Sequence, residues 1–341
     1  MATRRFYHSN FAGALAGALA LLSVATGGAR AQTSPLAPAA PTAPVVTFKP
    51  VPVRAYPRPV ESWLEAQIAL ARLSLSCGPI DGVPGEQSAS ALRAFQKSRD
   101  LTTTGRLDDA TRAALVLSTP PLRQTRLTAG DLARLQPLSP TWLGKSQQTS
   151  LAYETALELV AERCHASPAF IRKLNPSVDW SSVKPDTALS VPAVDPDGLL
   201  RKAARLQIRL AEHVLEARDT EGNLIAHFPV SIARNVEKRP VGELHVAVTI
   251  AAPDYTFNPD TFPESDEARA LGRKLILPPG PNNPVGVVWI GLDRPGYGIH
   301  GTPLPENVGR TESHGCFRLA NWDALTLFDL AWVGLPVIVE P

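Results

Sequence analysis

Two histidines and a cysteine lie within one short span near the end of the 341-residue chain. His300 sits in Ile299-His-Gly-Thr302, and His314 and Cys316 sit in Ser313-His-Gly-Cys316, with Arg318 two positions on. A thiol becomes an effective nucleophile when it is held as thiolate, and a neighbouring imidazole is the commonest device for that. His300 precedes Cys316 by sixteen positions, far enough to come from a neighbouring strand end and face the thiol. The imidazole needs a third group to orient it. No acidic side chain is obvious, so a backbone carbonyl or a hydroxyl near Gly301, Thr302 or Ser313 is the candidate. Gly315 lets the chain pass tightly before Cys316, and the amides of Gly315, Cys316 and Phe317 are placed to meet a developing oxyanion. Two other readings stay open on the residues alone. Cys316 could be an inert buried thiol, or the two histidines and Cys316 could bind zinc, although a fourth ligand and a compact metal-site spacing are lacking.

Such a constellation has to be carried on loops or strand ends held by a rigid scaffold. Residues 197–341 offer one. Leu206 to Leu210, His213 to Leu215, Leu224 to Ile232, His245 to Ile250, Leu275 to Leu277 and Val285 to Leu292 have strand composition, split by Pro and Gly turns. The expected fold is mostly β, a mixed sandwich or partly closed barrel. One helix should start at Trp322 with Asn321 as its cap, and Pro336 to Val339 should return as a last strand.

The balance of 34 basic and 32 acidic side chains, a net charge of +2, supplies no concentrated footprint for nucleic acid. Arg4 and Arg5, the apolar run Phe11 to Ala25 and the small residues Ala29 and Ala31 read as a signal peptide over 1–31, removed on export. The mature chain is then expected to be soluble. An exported chain meets an oxidising compartment, so the three cysteines matter. A Cys77–Cys164 disulfide and three free thiols are both open, since connectivity cannot be read from sequence.

Residues 32–59, rich in Pro and Ala, form a spacer. From 60 to 117, apolar spacing gives three short helices around Leu92, Phe95 and Leu107, the third capped by Asp108. Residues 118–148 read as a linker with at most one short helix. From 149 to 193, one helix runs through Leu157 and Val160, a second is capped by Ser167 with Pro168 at its first position, and Leu189 to Pro192 reads as a strand.

The segment His300-Gly-Thr302, Ser313-His-Gly-Cys316, Phe317, Arg318 resembles the signature of the L,D-transpeptidase (YkuD-like) catalytic domain, and the resemblance extends over most of 197–341. It implies Cys316 as acyl-accepting nucleophile and His300 as general base. It also implies His314 lining the site, Gly315, Ser313 and Gly301 shaping it, and Arg318 steadying the loop or a substrate carboxylate. No metal or cofactor is implied. The front unit resembles a peptidoglycan-binding-like domain through Gly78-Pro-Ile-Asp-Gly82, Ala91-Leu-Arg-Ala-Phe-Gln96 and Thr104-Gly-Arg-Leu-Asp108. Residues 149–193 resemble a degenerate lysin-motif module, with Tyr153-Glu-Thr155 where its first strand usually carries a glycine-aspartate-threonine signature. Together these imply an exported, periplasmic enzyme acting on peptidoglycan stem peptides and glycan. A neighbouring stem or a wall-attached lipoprotein would be the acceptor. Hydrolysis on the same fold, and a wall-binding protein without activity, are the alternatives.

Overall fold

The structure is a computed structural model and describes residues 55–198, 201–261, 265–310 and 315–341. The expected signal segment 1–31, nearly all of the 32–59 spacer, and the site candidates Ser313 and His314 lie outside the described residues.

In the first module, β1 (Arg58–Pro59) and β2 (Val116–Leu117) pair and close a unit of three helices, α1 (Trp63–Arg72), α2 (Glu86–Ser98) and α3 (Asp109–Ala114). Asp108 caps α3 as its sequence position predicts, accepting from the Thr111 amide. That helix stops at Ala114 because Val116 and Leu117 are extended to meet β1. The motif residues face inward. Fully buried Gln96 donates from Nε2 to Thr104 Oγ1 at 3.0 Å, Arg106 O at 3.0 Å and Thr111 Oγ1 at 2.8 Å, and its Oε1 accepts from Gly105 N at 2.8 Å. Loop amides with no sheet partner need such side chains to satisfy them.

The second module corrects the reading of 118–148 as a linker. That stretch holds β3 (Leu122–Arg126), α4 (Ala129–Ala133) and α5 (Trp142–Ser146). Beyond it come α6 (Ala156–Arg163), α7 (Pro168–Leu174) and β4 (Ala188–Pro192), and β4 pairs antiparallel with β3 along its whole length. Leu122 to Arg126 has no buried position and no apolar alternation, so only its partner makes it a strand. The strand that opens this module is therefore β3. The Tyr153-Glu-Thr155 stretch leads into α6, with Thr155 and Glu158 forming a capping box. Ser167 caps α7 with Pro168 in its first turn, as expected.

The third unit contains β5 (Arg205–Arg209), β6 (Val214–Arg218), β7 (Leu224–Pro229), β8 (Gly242–Ala251) and β9 (Tyr255–Phe257). It continues with α8 (Asp266–Leu271), β10 (Leu275–Leu277), β11 (Val288–Leu292), β12 (Gly298–His300), β13 (Phe317–Arg318), α9 (Asn321–Leu330) and β14 (Pro336–Glu340). It is mostly β, as expected. Eight strands form one mixed sheet in the order β13-β12-β11-β8-β14-β5-β6-β7. β8 is shared between two halves: Gly242 to His245 pair with β14, and Val246 to Ala251 pair with β11. Leu206 and Phe228 from one half, Ile290 and Phe317 from the other, and Leu327 of α9 are buried in one core. Each such side chain contributes about 1.5–3 kcal/mol. Asn321 does not cap α9. It is the first helical residue, and its side chain turns to other partners described below.

β9 and β10 form a separate antiparallel pair whose Phe257, Leu275 and Leu277 pack with Leu151 and α8 in a small core of their own. The Trp142 ring of α5 stacks on Phe257 at 4.5 Å. The modules are also joined by main-chain bonds. His227 N donates to Ser74 O at 2.9 Å, Ser76 N to His227 O at 2.8 Å, Ile80 N to His165 O at 2.7 Å and Leu151 N to Pro279 O at 2.9 Å. The described residues fall in a single compact unit. The Cys77–Cys164 disulfide is not formed: both thiols are free and buried.

Candidate active site

Strand register brings together residues that are eighteen apart in sequence. β12 runs parallel to β13, with Ile299 opposite Phe317 and His300 opposite Arg318. Cys316 lies in the bend that leads into β13, two positions before Arg318. The Arg318 charge disfavours the charged form of His300 and favours that of Cys316.

His300 is 5% exposed, and its Nδ1 lies 2.6 Å from the carbonyl oxygen of Gly301. A carbonyl can only accept, so Nδ1 carries the proton and Nε2 keeps its lone pair. The orienting group is therefore the next residue's backbone. On the other side, Trp289 of β11 pairs with His300 across the sheet, and their rings stack at 5.7 Å.

Burial pushes His300 down to about 4, against the pull of the Gly301 hydrogen bond and with help from Arg318. Burial also raises the Cys316 thiol, opposed by a backbone hydrogen bond from Gly298 and by Arg318. The half-buried thiol donates to Gly296 O at 3.7 Å. Both shifts favour the neutral pair, thiol and imidazole. Desolvation penalises both charged forms at once.

Arg318 is fixed through its backbone, which exchanges two 3.0 Å bonds with Ser231. Among the described residues its guanidinium makes no hydrogen bond, and burial lowers it while Cys316 and Tyr255 draw it up. Gly315 is half-buried in the bend before β13. Gly301 packs against Asn321, where a Cβ would overlap Oδ1.

Residues 203–339 match the family model described as "L,D-transpeptidase catalytic domain", and residues 60–115 match "Putative peptidoglycan binding domain". The unit from 203 to 339 belongs to the YkuD family of L,D-transpeptidase catalytic domains. Among relatives, "Putative L,D-transpeptidase YkuD" of Bacillus licheniformis is 23% identical over 186 residues, 54% of this chain and 93% of that protein. "Probable L,D-transpeptidase YbiS" of Escherichia coli is 31% identical over 192 residues, 54% of this chain and 60% of that protein. "Putative L,D-transpeptidase YqjB" of Bacillus subtilis is 32% identical over 117 residues, 33% of this chain and 57% of that protein. The chain thus spans nearly all of one of these relatives and under two thirds of the other two. A crystal structure of L,D-transpeptidase 3 from Mycobacterium tuberculosis, with a faropenem-derived adduct, is 17% identical over 47% of this chain and 76% of that chain, at a TM-score of 0.33.

Three residues associated with His300 and Cys316 carried no sequence signal as site residues. Burial raises the Tyr255 hydroxyl of β9, with Cys316 adding to the rise and Arg318 opposing it. Trp289 read as strand core. Asn321 read as a helix cap, a role its composition fits and its geometry does not.

Proposed function

We propose that the protein is a cysteine-dependent L,D-transpeptidase of the periplasm, acting on peptidoglycan stem tetrapeptides. The observation that supports this is the β12–β13 register, which sets His300 opposite Arg318, two residues after Cys316. The Gly301 carbonyl leaves Nε2 as the only basic nitrogen of His300.

In this reading Cys316 Sγ attacks the carbonyl between the diamino acid and the terminal D-alanine of a donor stem. His300 Nε2 takes the thiol proton as the Sγ–C bond forms, and no charge separation has to be held beforehand. The carbon–nitrogen bond then breaks, the proton passes to the departing amine, and D-alanine leaves a thioester on Cys316. A side-chain amine of a second stem, or of a wall-attached lipoprotein, attacks that thioester and returns the thiol. The guanidinium of Arg318, unpaired among the described residues, suits a stem carboxylate. The amides at Gly315 and Cys316 are the proposed donors to the tetrahedral oxyanion, and Gly301, Ser313 and His314 complete the lining. The peptidoglycan-binding domain brings the polymer to this site, and the signal segment at 1–31 carries the chain across the inner membrane.

The test is incubation with defined muropeptides, followed by mass spectrometry of protein and products. The expected result is loss of D-alanine, a transient acyl adduct on Cys316 and a cross-linked dimer, all abolished in Cys316→Ala. A product carrying water in place of the second stem would convert the reading to hydrolysis, and turnover by Cys316→Ala would overturn the nucleophile.

A further inference from the structure

The orienting carbonyl of Gly301 is itself held, and the group at the far end of that arrangement lies outside the L,D-transpeptidase domain. Asn321, fully buried at the start of α9, accepts from Val287 N at 3.3 Å through Oδ1 and donates from Nδ2 to Pro281 O at 3.0 Å. The same Nδ2 donates to Glu162 of α6, at 3.0 Å to Oε2 and 3.2 Å to Oε1. Tyr153 Oη donates to Glu162 Oε1 at 2.8 Å. Both Asn321 donor hydrogens are thereby taken, and its amide cannot flip without setting Oδ1 against two acceptors.

Asn321 meets the His300 segment directly. Gly286 lies at φ +62°, and a Cβ there would overlap both Asn321 Oδ1 and the backbone of Gly301, so the three residues are in mutual contact. Gly301 N donates to Val288 O at 3.3 Å, and Gly301 O accepts a hydrogen bond from His300 Nδ1. The loop before β11 is gripped by the same module at other points. Asn282 Nδ2 donates to Ala152 O at 2.9 Å and to Glu158 Oε1 at 2.6 Å, and Leu151 O accepts from Asn282 N at 3.0 Å.

We propose that Glu162 of the second module is a positioning residue for His300, acting through Asn321 and the Gly286–Gly301 contact to fix the carbonyl that orients the imidazole. The module then serves as a brace built against the reacting centre, over and above any contact with glycan. A base displaced by a fraction of an ångström loses in-line proton transfer, while the surface that binds substrate is left as it was. The signature of this role is a fall in the limiting rate at unchanged half-saturation.

This inference rests on the Cys316–His300 reading. The full exported chain and its variants are titrated with a carbapenem-type β-lactam, and acylation of Cys316 is followed by intact mass across concentrations. Imidazole nitrogen shifts are recorded in parallel by NMR. Glu162→Ala is expected to lower the limiting acylation rate about tenfold, leave the half-saturating concentration within about twofold, and shift the His300 Nδ1 signal. Glu162→Gln, which still offers Asn321 an acceptor, is expected to restore most of the rate. If Glu162→Ala does not fold, Glu162→Leu fills the space without an acceptor and reads the same quantities. An unchanged limiting rate and Nδ1 signal in the variant, beside an acylated wild type, overturns the positioning role alone. A loss that Glu162→Gln does not restore also overturns it. A wild-type chain that takes no adduct on Cys316 overturns the thioester reading and this inference with it.

Discussion

Trp289 and His300 occupy opposite positions on β11 and β12, and their rings stack 5.7 Å apart at an interplanar angle of 21°. The indole covers one face of the imidazole and so adds to the burial that pushes His300 down to about 4. Trp289→Ala is expected to let water reach the ring and raise the His300 pKa toward its ordinary value. Acylation of Cys316 should fall by about tenfold as the base loses its fixed orientation. Titration of the imidazole signal and the acylation rate check the two effects separately.

Stability should fall as pH rises from about 6.5 to 8, a window in which the buried histidines contribute no pH dependence. Burial lifts Asp323 to about 8, against a hydrogen bond from Ser76 Oγ of 2.9 Å, and lifts Glu162 to about 7. Unfolded, both carboxyls lose their protons near pH 4, so above that the folded chain binds more protons and is destabilised as pH climbs to 7–8. Buried His165 and His300, both lowered to about 4, act oppositely between there and about 6.5, where they offset the acids. From about 6.5 to 8 the acids act alone, and the loss is about 2 kcal/mol. Thermal melts at pH 6.5 and 8 should show it in the wild type, and Asp323→Asn, which stays neutral, should lose most of it.

Gln96 satisfies four partners from a fully buried position, three as donor and one as acceptor. Gln96→Leu leaves the Gly105 amide and the Arg106 carbonyl without partners and is expected to cost about 2–4 kcal/mol. Acylation of Cys316 by the folded fraction should be unchanged. Denaturant unfolding followed in the same samples as acylation tests both statements.

Only Cys316 should react with an alkylating reagent in the native chain. Burial raises the Cys77 thiol to about 12 and the Cys164 thiol to about 11, and both are 5% exposed or less. Intact mass after iodoacetamide at pH 8 is expected to show one adduct in the wild type, none in Cys316→Ala, and three once the chain is denatured.

Removing the first two modules should damage more than wall attachment. A fragment of residues 197–341 would lose the His227 main-chain bonds to Ser74 and Ser76, the Ser76 partner of buried Asp323, the Leu151 contacts to the loop before β11 and the Glu162 contact to Asn321. A lower melting temperature and slower acylation are expected together. Unchanged values for both would mean that the docking is passive.

The sequence by itself determined the features that depend on local chemistry. Asp108 and Ser167 begin helices because a side-chain oxygen satisfies an amide three residues on. The glycine-punctuated run around His300 and Cys316 is legible for the same reason, since its residue types and spacing lie within one stretch. Tertiary structure decided everything that depends on a partner far along the chain. Leu122 to Arg126 is a strand only because β4 lies beside it, and Cys77 and Cys164 stay apart although an oxidising compartment would tend to pair them. Burial, which no local pattern measures, sets the thiol and imidazole neutral. Asn321 shows the division within one residue: its position at the start of α9 was readable, but a buried amide takes whatever acceptor the fold supplies, and here that acceptor is Glu162, 159 residues earlier.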